Sequence, residues 1–118
     1  MRITITGKGM DVSDYLKEVA EKKVKKLSKY FGGDTEAHVT MSIEKSRHIV
    51  EVTIPFDGVV LRGEVATGDM YASIDGVLKK LEKQIMRVLY DISKENVEKT
   101  SGGENTKQAT GLKVIKVD

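Results

Sequence analysis

The sequence predicts an α+β domain of element order β-α-β-β-β-α, in which a four-stranded mixed sheet carries two roughly parallel helices on one face. Three observations lead there. Apolar residues recur at helical spacing in two stretches, they alternate at period two in four others, and glycine-bearing turns mark most changes of period. Because each strand then has one dry face and each helix one dry stripe, both helices must share a single sheet face. A strand-helix-strand connection favours a right-handed crossover and a parallel first pair, and the tight hairpins that follow add antiparallel neighbours.

Arg2 to Thr6 alternates, with Ile3 and Ile5 on one side, until Gly7 and Gly9 break the pattern. The first helix follows. Asp11 or Ser13 can accept from its unpaired amides, and Asp14, Glu18 and Glu21 come early while lysines come late, as the helix dipole favours. Its apolar line is Leu16, Ala20, Val24, Leu27 and Phe31, flanked by Val19 and Tyr30, and Gly32-Gly33 ends it. From Glu36 to Ala66 the period falls to two over three strands, whose dry faces are Val39, Met41 and Ile43, then Val50, Val52 and Ile54, then Val59, Leu61 and Val65. Ser46 and Arg47 allow the first reversal, and Asp57-Gly58 forms a tight hairpin turn, since such turns need positive φ. Pro55, the one proline, stands beside that turn, where a missing amide does least harm. The second helix is expected from about Met70 to about Val97, with Asp69 as its N-cap, Asp75 near its positive end, and Ile74, Val77, Leu78, Leu81, Ile85, Val88, Leu89 and Ile92 on its buried side.

Composition narrows the chemistry. A chain of 118 residues holds one core. With no cysteine, thiol catalysis, thiolate metal sites and disulfides are excluded. His38 and His48 lie far apart in strand segments, as edge or surface residues without a third ligand, so no metal and no cofactor are expected. Glu44, Glu51 and Glu64 fall on the polar sheet face without a pocket to raise a pKa, and the chain is not read as an enzyme. Gly7-Lys8-Gly9 is too short for a phosphate-binding loop and lacks the following Ser or Thr. The chain opens directly on a strand pattern and no run is long enough to span a bilayer, so the expectation is a cytoplasmic protein with no membrane partner.

Twenty Lys and Arg against eighteen Asp and Glu leave a net charge of +2, which does not by itself declare a nucleic-acid binder. Distribution does more. On the second helix Lys80, Lys83, Arg87 and Lys94 share a stripe turned away from the apolar face. Clustered like charges at i, i+3 and i+4 cost a few tenths of a kcal/mol per pair, so helix propensity does not favour such a stripe, whereas a phosphate backbone would. On the first helix Lys22, Lys26 and Lys29 face away from the core, and Lys23 lies at the apolar edge. Side by side, the two helices would present one positive surface with a groove between them. Tyr71 is placed to pack at the helix start or to stack on an exposed base.

DMYASID at Asp69 to Asp75, followed by Lys80-Leu81-Glu82-Lys83-Gln84 and Arg87, resembles the second-helix signature of the ribosome hibernation-promoting factors, also called protein Y or ribosome-associated inhibitors. Lys23, Lys26, Leu27, Lys29 and Tyr30 are similar to that family's basic first helix, and Gly7-Lys8 to the turn after its first strand; the resemblance spans roughly residues 1–95. It implies a domain that binds the small ribosomal subunit near the decoding centre, overlaps messenger and transfer RNA, and keeps idle ribosomes silent, with rRNA and possible ribosomal-protein contacts. It implies Lys23, Lys26, Lys29, Lys80, Lys83 and Arg87 as rRNA phosphate contacts, with Lys8, Lys22 and Lys79 as weaker ones.

Two features depart from the family pattern. Leu89, Asp91 and Ile92 interrupt the basic run past Arg87. Long members also carry a linker and a second, dimer-forming domain. Here residues 1–98 are expected to form the ribosome-binding domain, residues 99–111 a flexible linker, and residues 112–118 a short strand-like tail. That tail either pairs with a sheet edge or starts a C-terminal dimerisation domain that the chain lacks. The residues also leave open a general structured-RNA binder, or a protein-interaction module that modulates a transcription factor.

Overall fold

The computed structural model describes residues 1–56, 58–101 and 114–117, and side chains as far as residue 92. The elements are β1 (Arg2–Gly7), α1 (Asp14–Val24) continued by a 3₁₀ segment (Lys25–Tyr30), β2 (Glu36–Glu44), β3 (Arg47–Phe56), β4 (Val59–Thr67), α2 (Met70–Ser101) and β5 (Val114–Val117). The four expected strands and two helices are present in the expected order. A short fifth strand joins them, so the sheet runs β1-β2-β3-β4-β5.

β1 pairs with β2 in parallel, from Arg2↔Glu36 to Gly7↔Met41. The two hairpins are antiparallel, from Glu44↔Arg47 and from Phe56↔Val59. β5 lies parallel to β4, from Val60↔Val114 to Gly63↔Val117. α2 runs to Ser101, so its last turn extends over residues 99–101. The rest of the expected linker, residues 102–111, lies outside the described residues.

Alternation places Val39, Met41, Val50, Val52, Ile54, Val59 and Leu61 on one face of the sheet, all but fully buried. Against them pack Leu16, Ala20, Val24 and Leu27 from the first helical segment and Met70, Ile74, Val77, Leu81, Ile85 and Val88 from α2. At the end of the expected line, half-buried Phe31 meets Phe56 edge-on, with ring centroids 4.9 Å apart. Ile43, expected on the dry face of β2, is 45% exposed.

Four local findings refine the sequence reading. The first helix changes to 3₁₀ geometry after Val24, and Val24, Leu27 and Tyr30 stand three residues apart, which keeps them in line only at three residues per turn. The first reversal is Lys45-Ser46, one residue earlier than expected, with Lys45 at φ 59°. The last residue of β1, Gly7, has to be glycine, because a Cβ there would stand 2.2 Å from the Met10 carbonyl oxygen, too close to be accommodated without moving backbone. Pro55 fits its place for a reason of register: β2 pairs with β3 only as far as His38↔Thr53, so no β2 residue awaits its missing amide.

Candidate nucleic-acid interface

α1 and α2 lie side by side and point the same way. Three cross-helix contacts show it, because their residue numbers rise together: Tyr15 against Tyr71, Lys23 against Asp75, and Tyr30 against Glu82. Both helices begin on side-chain caps. Ser13 Oγ accepts from the Leu16 amide at 3.1 Å, and Asp69 Oδ2 accepts from the Ala72 amide at 3.0 Å. The start of α2 is also clamped to the sheet. Ser73, fully buried, donates from Oγ to the His48 carbonyl at 2.6 Å, and its Oγ lies 2.7 Å from Thr67 Oγ1. The DMYASID stretch thus includes a cap, a buried core residue in Ile74 and this clamp, all of which fix where the basic part of α2 lies.

The lysines and arginine of interest divide into two groups. Lys22, Lys26 and Lys29 are exposed on the first helical segment, and Lys79, Lys83 and Arg87 are exposed on α2. None of these six makes an ion pair among the described residues. In the 3₁₀ segment residues three apart eclipse, so Lys26 and Lys29 stand one above the other, and Lys29 Nζ sits 5.2 Å from the centre of the Tyr30 ring. On α2, Lys79, Lys83 and Arg87 follow an i, i+4, i+8 line along the outward face. With Lys23 level with Asp75, and Tyr30 level with Glu82, the lysines at 26 and 29 stand beside those at 79 and 83. Arg87 continues the patch past the end of the shorter helix.

Two of the sequence-selected cations are already engaged. Lys23 Nζ lies 2.6 Å from Asp75 Oδ1. Lys80 is turned to the flank of α2 over β4, where Nζ donates to the Glu64 carbonyl at 3.3 Å. The stripe read from sequence as one face is therefore split, with Lys80 on its sheet-side margin. Asp75 and Glu82 also sit in the seam between the helices, so the groove is not an unbroken positive channel. Lys8 is exposed in the loop after β1, with its backbone amide bonded to the Met41 carbonyl.

The opposite face of the sheet is electrically different. Arg62 binds Glu51 through Nε at 2.9 Å and through its terminal nitrogen at 2.7 Å, and Arg2 pairs with Glu36. His38 is exposed, within 3.4 Å of Glu36. His48 departs from the edge reading: it is half-buried, in phase with Val50 and Val52, and its buried Nδ1 has no partner among the described residues. Among the described residues, no three His, Asp or Glu side chains converge as metal ligands would, and no helix is long and apolar enough to cross a membrane.

Sequence reading missed the Lys23–Asp75 pair, because its partners lie 52 residues apart and leave no local pattern. It also missed Tyr15, whose significance comes only from lying opposite Tyr71. The 3₁₀ change did leave a trace in the three-residue spacing of Val24, Leu27 and Tyr30.

Known proteins with this arrangement are recognisable. The family model described as Sigma 54 modulation protein / S30EA ribosomal protein matches residues 3–89. A ribosome hibernation promotion factor from Lactococcus lactis subsp. cremoris is 40% identical over 90 residues, a match covering 74% of this chain and 49% of the relative, so the chain spans about half that protein's length. A ribosome hibernation promoting factor from Salmonella typhimurium is 33% identical over 87 residues, covering 74% of this chain and 92% of the relative. The crystal structure of the Thermus thermophilus Protein Y N-terminal domain superposes with a TM-score of 0.68 at 30% identity, over 74% of this chain and 98% of that domain. With the fold and the sequence matched over the same share of its length, the chain belongs to the Sigma 54 modulation protein / S30EA ribosomal protein family.

Proposed function

We propose that this chain is a ribosome-binding translation inhibitor that occupies the decoding region of the small subunit, blocks messenger and transfer RNA, and preserves idle ribosomes in the cytoplasm. The observation that carries the reading is the pair of parallel helices presenting Lys22, Lys26, Lys29, Lys79, Lys83 and Arg87 on one exposed surface without ion-pair partners among the described residues. Relatives named as ribosome hibernation factors supply the partner. A phosphate backbone suits such a surface, since each engaged cation releases condensed counterions and gains affinity without reading sequence. Lys23 and Lys80 join by exchanging Asp75 and the Glu64 carbonyl for phosphate oxygens. Inhibition on this reading is steric, and the protein performs no bond-making step. The ribosome-binding unit is the β-α-β-β-β-α domain.

The test is sedimentation of purified small subunits with the protein at low and moderate salt, with and without initiator tRNA, alongside a Lys83→Glu/Arg87→Glu variant. Salt-sensitive co-sedimentation that tRNA displaces, and that the double variant loses, is the expected result. Binding indifferent to tRNA would overturn the decoding-region site. A variant that binds as the wild type does would remove the helical surface from the interface.

A further inference from the structure

At the end of the domain where both helices begin, α1 and α2 enclose an open cleft of about 390 Å³ lined by Tyr15, Val19, Lys22, Lys23, Lys26 and Tyr71. We propose that this cleft takes one unstacked base of the bound RNA, its ring lying against Tyr15 and Tyr71 and its flanking phosphates on Lys22 and Lys26. The inference rests on RNA being the ligand of the helical surface and names a subsite within it.

Four observations select a base. The rings of Tyr15 and Tyr71 have centroids 6.3 Å apart with planes inclined at 55°, so they touch without stacking and each keeps a face for another ring. They are 67% and 39% exposed, and neither hydroxyl bonds to another protein group among the described residues, so the core does not account for them. The lining contains no carboxylate, and the nearby Asp75 is neutralised by Lys23. Lys22 and Lys26 remain at the rim with no ion pair of their own among the described residues. Phosphate alone would need the lysines but not the tyrosines, and a regular duplex keeps its base faces stacked out of reach. A single-stranded or looped nucleotide offers a π face and a phosphate together, which is how unpaired RNA is usually held. The volume is at the small end of ligand sites, suited to one nucleotide rather than a helix.

Stacking and charge leave different signatures in salt. A stacked base releases few ions, so losing a tyrosine lowers affinity by a similar factor at every salt concentration, whereas losing a lysine flattens the salt dependence. The experiment measures binding of a short single-stranded RNA carrying one fluorescent adenine analogue, and of small subunits, by wild type and by Tyr15→Ala, Tyr71→Leu, Tyr15→Phe and Lys26→Ala. Circular dichroism checks that each variant is folded; Tyr15 is so exposed that its truncation leaves the core intact.

Tyr15→Ala and Tyr71→Leu are expected to weaken RNA binding about tenfold each with unchanged salt slope, as stacking worth roughly 1–3 kcal/mol per base implies. Tyr15→Phe should bind as wild type does, the analogue's fluorescence should be quenched by wild type but not by Tyr15→Ala, and Lys26→Ala should reduce the slope. Folded tyrosine variants that bind RNA and subunits as tightly as wild type would overturn the cleft while leaving the ribosomal reading intact. Quenching of the short RNA by a wild type that ignores small subunits would keep the cleft and sink the ribosomal reading.

Discussion

Asp75 is the residue at which the candidate surface is held back. Its carboxylate lies 2.6 Å from the Lys23 ammonium, in the seam beside cations that have no ion pair among the described residues. Both partners are partly exposed, so solvent screens the pair and its contribution to folding is small, about 0–1 kcal/mol. Its effect on an anionic ligand is larger, because it removes one cation from the interface and puts a negative charge beside it. Asp75→Asn is therefore expected to leave thermal stability nearly unchanged while tightening RNA binding several-fold. It should also steepen the salt dependence by up to roughly one unit of log K per log salt, the release expected for one further phosphate contact. Titrations of wild type and variant at several salt concentrations measure both quantities. A variant with weaker binding would mean that Asp75 positions Lys23 for RNA instead of competing for it.

At the scale of elements, the placement of α2 depends on a short polar clamp as well as on its apolar face. Ser73, itself fully buried, reaches with Oγ the His48 carbonyl on β3 and Thr67 Oγ1 at the end of β4. Ser73→Ala takes this donor from the His48 carbonyl, while Thr67 Oγ1 keeps its bonds to the Asp69 backbone, and the loss is expected to cost about 1–3 kcal/mol of unfolding free energy in urea. A loss within a few tenths of a kcal/mol would show that water replaces the hydroxyl. The clamp illustrates what the sequence made legible. Period two in residues 36–66 and the long apolar stripe of α2 gave the elements away, because one-sided burial imposes those periods on any sequence that satisfies it. Ser73 could be read only as part of a motif, since its partners come from two strands that the hairpin folds back beneath α2. The Lys45-Ser46 reversal was displaced by one residue because nothing local marks a lysine for φ 59° as glycine would be marked. The outward arrangement of Lys83 and Arg87 followed from helical geometry alone. The engagement of Lys23 and Lys80 did not, because both partners are distant in the chain.

Over the whole molecule the net charge of +2 conceals two different faces. On the outer sheet face Arg62 is bound to Glu51 and Arg2 to Glu36, while six cations stand together on the helices without ion pairs among the described residues. Near a phosphate backbone only local unpaired charge releases counterions, so face should matter more than total. This separates two pictures that bulk electrophoresis or isoelectric point would confuse. Lys83→Gln and Arg62→Gln each lower the net charge by one formal unit. If the molecule's summed field governs binding, the two substitutions should weaken it alike. If the helical face is the interface, Lys83→Gln should lower the salt slope by roughly 0.7–0.9, whereas Arg62→Gln should leave it unchanged despite freeing Glu51 on the other side of the sheet. With all six helical cations engaged, wild-type affinity for RNA should itself fall by roughly a thousandfold between 50 and 200 mM salt. Slopes measured for the three proteins on the same small subunits decide the matter: equal losses from both substitutions would reduce the helical surface to part of a diffuse field, and a loss confined to Lys83→Gln would assign the RNA to one face of the fold.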